Sequence, residues 1–69
     1  MKLRIRELAE GFDLNLSQVQ RQTGLTLGKL RRYWYNETRS AELDALETLL
    51  KFFQRYDASL TVADLFALD

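Results

Sequence analysis

Cysteine, histidine and proline are all missing from this chain, and glycine occurs only three times. Without thiols or imidazoles there can be no disulfide, no zinc site of the Cys/His kind, and no cysteine nucleophile or histidine base. Carboxylates could still hold a metal, but none cluster along the sequence, and no cofactor is expected. No residue pattern pairs a nucleophile with a base, and 69 residues leave little room for a substrate pocket, so the chain does not read as an enzyme. Nowhere do about 18 apolar residues run together, and Met1-Lys2-Leu3-Arg4-Ile5-Arg6 lacks the apolar stretch of a signal peptide. A soluble cytoplasmic protein is the expectation, with no membrane contact.

A chain of this length is expected to be one domain over residues 1–69. Such a domain buries roughly 60% of the surface that its unfolded form exposes, and its core supplies only about 3–5 kcal/mol unaided. The formal charge of zero hides a division. Residues 1–39 hold eight Lys or Arg against four Asp or Glu, whereas residues 40–69 hold two against six. A basic half beside an acidic half suits binding a polyanion on one side while the other side is repelled, which helps orientation.

With neither proline nor low-complexity stretches, the pattern predicts five closely spaced helices, an all-α fold. The first runs from about Leu3 to Glu10, with Leu3, Ile5, Leu8 and Ala9 on an apolar edge and Gly11 near its end. Asn15 and Gln18 form a capping box for the second, which turns Leu16 and Val19 inward and Gln20, Arg21 and Gln22 to water, and stops at Gly24. Thr26 caps the third. Leu43, Leu46, Leu49, Leu50 and Phe53 then form a core stripe on the longest helix, and Ser59 or Thr61 caps a last one over Val62 to Ala67, closed by Leu65 and Phe66.

The second and third patterns are separated only by Thr23-Gly24-Leu25-Thr26, with a glycine where a positive φ is needed, which is how a helix-turn-helix is written. On the third helix Leu30, Tyr33 and Trp34 share the inward face. Gly28, Arg31, Arg32 and Tyr35 share the other, and an exposed helix with such a face fits a DNA major groove. Thr26 places the positive end of this helix near Leu27 and Gly28, where a phosphate is welcome. Glycine in a first turn costs about 1 kcal/mol against alanine, which close approach of another surface would explain.

The run Leu14-Asn15-Leu16-Ser17-Gln18-Val19-Gln20-Arg21-Gln22-Thr23-Gly24-Leu25-Thr26, followed by Leu30 and by Leu43, Leu46 and Leu50, resembles the phage-repressor and Cro-type (XRE-like) helix-turn-helix family. Leu60-Thr61-Val62-Ala63-Asp64-Leu65-Phe66 resembles the same family's ending. The resemblance implies a compact five-helix, lambda-repressor-like domain from a bacterium or phage, whose third helix, about residues 27–35, enters the major groove to regulate transcription. It implies base reading by Leu27, Gly28, Lys29, Arg31 and Arg32, with Arg32 the best candidate for two hydrogen bonds to guanine O6 and N7. It implies backbone contacts from Arg6, Asn15, Ser17, Thr26, Tyr35 and Arg39. Three departures stand out: Leu16 occupies a position where the family often has glutamine, Ala9 and Trp34 stand where some members carry an arginine and glutamate pair, and the stretch from Gln54 to Ser59 is longer than the family's usual link, so that either helix four extends through Tyr56 or a looser loop sits there.

Two readings follow. The first is a sequence-specific regulator bound to double-stranded DNA. The second is a protein-interaction module on a helix-turn-helix scaffold, such as an adaptor or antitoxin component, with Trp34, Tyr35, Phe52 and Phe66 as an apolar surface. Specificity from such short half-sites generally asks for two copies, so a weak or DNA-induced homodimer is expected, paired through Phe52, Tyr56, Phe66 and Leu68.

Overall fold

Local capping signals set both limits of the second helix and the start of the third. In the computed structural model, which describes residues 2–67, the elements in chain order are β1 (Lys2–Leu3), α1 (Ile5–Gly11), α2 (Leu16–Thr23), α3 (Leu27–Trp34), α4 (Leu43–Gln54), a 3-10 turn over Val62–Leu65, and β2 (Phe66–Ala67). Asn15 caps α2 as its spacing with Gln18 predicts: Asn15 Oδ1 accepts from the Gln18 N–H at 2.8 Å, and the Asn15 N–H donates to Gln18 Oε1 at 2.9 Å. Gly24 ends α2 at φ 73, in the left-handed region that glycine reaches without strain. Thr26 Oγ1 then accepts from the Lys29 N–H at 3.3 Å and opens α3.

The turn is braced from a direction that the polar pattern does not anticipate. Gln20, expected to face water, is half-buried, and its Nε2 donates to the Leu25 carbonyl at 3.0 Å. A carbonyl that the tight turn leaves without a helical partner is thereby satisfied.

All four α-helices feed one core. Ile5, Val19, Leu30, Leu49, Phe53 and Leu65 are fully enclosed, and among the described residues no charged or polar side chain is buried. The long helix is rotated from its expected setting. Ala45, Leu46, Leu49, Phe52 and Phe53 form its buried face, Leu50 sits at the margin, and Leu43, expected in the core, is 75% exposed. At 3.6 residues per turn Leu43 lies about 120° from the centre of that face, so its spacing of three to Leu46 leads out of the core rather than along it. Phe52, expected outside, takes the place within, meeting Phe53 at 5.3 Å between ring centroids and Tyr56 edge-on at 5.5 Å.

The two chain ends also differ from an all-helical expectation. Among the described residues four α-helices form rather than five. Leu3 belongs to a strand, so the first helix starts at Ile5, and the expected final helix is a single 3-10 turn whose continuation, Phe66–Ala67, pairs antiparallel with β1 in the register Lys2↔Ala67 and Leu3↔Phe66. Asp64 Oδ2 accepts from the Thr61 N–H at 2.7 Å, tying down the start of that turn. Just beyond α1, whose last residue is Gly11, the left-handed position falls to Asp13 at φ 58.

Candidate nucleic-acid interface

Three inward side chains orient α3. Leu30, Tyr33 and Trp34 are buried, and the Tyr33 hydroxyl accepts from the Glu42 N–H at 3.1 Å, which fixes the roll of the helix against the start of α4. Opposite that trio, at 3.6 residues per turn, fall Gly28, Arg32 and Tyr35, with Arg31 on one flank and Lys29 on the other. Gly28, Arg31, Arg32 and Tyr35 are all exposed, and Leu27 in the first turn is 49% exposed. Ala9 and Trp34, the pair in place of an ionic contact, both lie in the core, where a small residue and a large one fill the space without charge.

The cations around α3 fall into two classes. Among the described residues no carboxylate oxygen lies within 4.0 Å of Arg31 or Arg32. Arg39, in the loop that follows, is likewise exposed and outside every ion pair in that set. Lys29 differs: its Nζ donates to Glu42 Oε2 at 2.8 Å, and its side chain is 26% exposed. This hydrogen bond to Glu42 holds the Lys29 ammonium above its ordinary pKa.

Arg6 reaches the far end of α3. Its guanidinium lies over the Tyr35 ring at 5.6 Å from the centroid, while its Nε donates to Glu10 at 3.4 Å. The two residues form one wall of an open groove of about 650 Å³ that also takes in Lys2, Arg4, Trp34 and Asn36. Arg4 is itself paired with Glu7 at 3.1 Å. The groove is therefore flanked by charge that is largely balanced within the chain.

Two helix starts add backbone donors. The cap at Thr26 covers the Lys29 N–H, and the N–H groups of Leu27 and Gly28 have no intrahelical acceptor. At the start of α2 the Asn15 side-chain oxygen is used in capping, which leaves its amide NH₂ to donate elsewhere. Ser17 is exposed beside it. Leu16, standing where glutamine is usual in the resemblance, is half-buried against the core and has no polar group to offer a phosphate. A Cβ built on Gly28 would meet nothing within 4 Å, so no contact inside the chain requires glycine there.

One residue that fixes this face was not singled out by its pattern. Asn36, at φ 56 just after α3, accepts from the Leu3 N–H through Oδ1 at 2.6 Å and donates to the Leu3 carbonyl through Nδ2 at 3.1 Å. Its amide thus behaves as a third strand beside β1, joining the end of α3 to the amino-terminal ribbon. An asparagine directly after a helix is the available signal, because asparagine tolerates the left-handed conformation better than most residues. No protein-family model matches this chain, and no curated protein or solved structure matches it either.

Proposed function

We propose that the chain is a sequence-specific double-stranded DNA-binding regulator of the phage-repressor type, with α3 lying in the major groove. The observation that carries this reading is the pair Arg31 and Arg32, exposed on an outward helix face and held by no carboxylate among the described residues. A guanidinium in that state presents its fork of donors at no cost in broken ion pairs, and guanine offers two matching acceptors in the major groove. Arg32 and the exposed part of Leu27 then face base edges, the arginine toward guanine and the leucine toward a thymine methyl. Gly28 lets the backbone of the first turn come close. Arg39, Tyr35, Ser17, Asn15 and the free N–H groups after Thr26 hold phosphates and set the register.

The alternative, an interaction module with an apolar surface, draws less support, because Trp34 and Phe52 are core residues and Phe66 is packed against the core. Of the residues expected to pair two copies, Phe52 is buried and Phe66 half-buried, so Tyr56, 45% exposed, is the best-exposed candidate among the described residues. Leu68 lies outside the described residues.

Retention on mixed genomic DNA at low and moderate salt tests the regulator reading. The wild type is expected to bind at low salt and release as salt rises, and Arg31→Ala with Arg32→Ala is expected to lose most of that retention. Wild-type protein that passes through regardless of salt, or a double variant that behaves as the wild type, overturns it. Selection from a random DNA pool then gives the operator, and Arg32→Ala should relax preference at one base pair by about 1–3 kcal/mol.

A further inference from the structure

The cations on and beside α3 are not equivalent. Arg31 and Arg32, in the middle, are unpaired among the described residues, whereas Lys29 near the amino-terminal turn is held by Glu42 at 2.8 Å and Arg6 near the carboxyl end by Glu10 at 3.4 Å. Glu42 caps α4 by position but makes no side-chain capping bond, and its side chain is 64% exposed. The carboxylate is thus free of any task in starting α4, and it is presented to solvent beside the flank of α3.

We propose that Glu42 is a specificity-determining residue that acts as an internal substitute for a DNA phosphate, neutralising Lys29 so that this lysine adds nothing to sequence-independent binding. This inference rests on the DNA-binding reading above. Phosphate contacts by lysine and arginine supply essentially all non-specific affinity, each contributing close to one unit to the dependence of log K on log salt. A lysine already bonded to a carboxylate must break that bond before it can grip a phosphate, and doing so brings an unpaired negative charge against the polyanion. The unpaired arginines carry no such handicap, and arginine is the residue suited to reading guanine. With Lys29 neutralised, a larger share of the total affinity comes from contacts that distinguish one base pair from another.

The experiment compares wild type, Glu42→Gln, Lys29→Gln, the double variant Glu42→Gln with Lys29→Gln, and Glu47→Gln on a mixed-sequence duplex, titrated between about 50 and 200 mM salt. Glu47→Gln is the charge control, removing the same unit from an ion pair made within α4, with Lys51 at 2.9 Å. Glu42→Gln is expected to bind the mixed-sequence duplex about 3–10-fold more tightly at the low end and to steepen the salt slope by about one unit. Lys29→Gln alone, the double variant and Glu47→Gln are expected to keep the wild-type slope. A Glu42→Gln slope equal to wild type, a Glu47→Gln change as large as that of Glu42→Gln, or a slope lowered by Lys29→Gln alone would each overturn the assignment while leaving the DNA-binding reading intact. Wild-type protein with no salt-sensitive binding removes both.

Discussion

Asn36 and the glycines show how single positions divide between folding and binding. The Asn36 side chain makes both of its bonds to one residue, Leu3, from a left-handed backbone. Asn36→Ala removes two part-buried hydrogen bonds and replaces a residue that tolerates the left-handed region with one that does not, for an expected loss of about 2 kcal/mol in urea unfolding. Asn36→Gly keeps the backbone conformation accessible and isolates the clasp; its loss should be smaller than that of Asn36→Ala, and equal losses would remove the backbone part of the argument. Gly24→Ala should cost about 1 kcal/mol, because φ 73 suits glycine whatever the space around it. Gly28→Ala has the opposite expectation. Nothing lies within 4 Å of the added methyl, so the helix should gain up to about 1 kcal/mol. If α3 meets DNA closely there, the more stable protein binds DNA more weakly, whereas unchanged binding would show that the glycine serves no close approach.

At the scale of elements, what could be read from the sequence was whatever short-range chemistry decides. The Asn15 and Gln18 box, the stop at Gly24, the cap at Thr26 and the inward trio Leu30, Tyr33 and Trp34 all depend on residues within four positions of one another, and all are found. Asn15→Ala should therefore cost about 1 kcal/mol of stability, seen as a lower urea midpoint at unchanged slope. The settings that were missed depend on distant partners. The roll of α4, with Leu43 outside and Phe52 inside, goes with Phe53 and Tyr56 packing on the Phe12 ring, at 6.2 and 5.2 Å between centroids, and with Tyr33 receiving the Glu42 N–H, none of which is visible in a three-and-four periodicity. The ribbon of Lys2–Leu3 with Phe66–Ala67 joins the two ends of the described chain, and two residues per strand leave too short an alternation to register as a strand. The same limit governs the candidate site. The outward face of α3 followed from helical geometry, but the split between Arg31 and Arg32, unpaired among the described residues, and tethered Lys29 depends on Glu42, thirteen positions away from that lysine in sequence.

For the molecule as a whole, the missing residue types decide how stability responds to pH. The chain has no histidine and no cysteine, so no side chain has an ordinary pKa between about 5 and 9. The groups that do shift lie at the two extremes. Bonding to Arg4 lowers the Glu7 carboxyl below its ordinary value, and bonds from the Ser59 hydroxyl and N–H lower Asp57. A native value depressed below the unfolded one stabilises the fold at pH above the ordinary carboxylate range near 4, and that stabilisation is lost as pH falls through the lowered values. Lys29, raised by Glu42, works in the reverse sense: its contribution is complete below the ordinary lysine value and is lost as pH climbs through the raised one. Thermal unfolding followed by circular dichroism should then give a Tm plateau from about pH 5 to 9, with a fall on the acid side beginning near pH 4. Guanidinium groups stay charged throughout that plateau, so DNA retention at fixed salt should be equally flat between about pH 6 and 8. A Tm or a retention that slopes steeply across neutral pH would mean that a carboxylate has been pushed far upward in the folded or bound state, and the division between unpaired arginines and a tethered lysine would no longer account for the charge on this face.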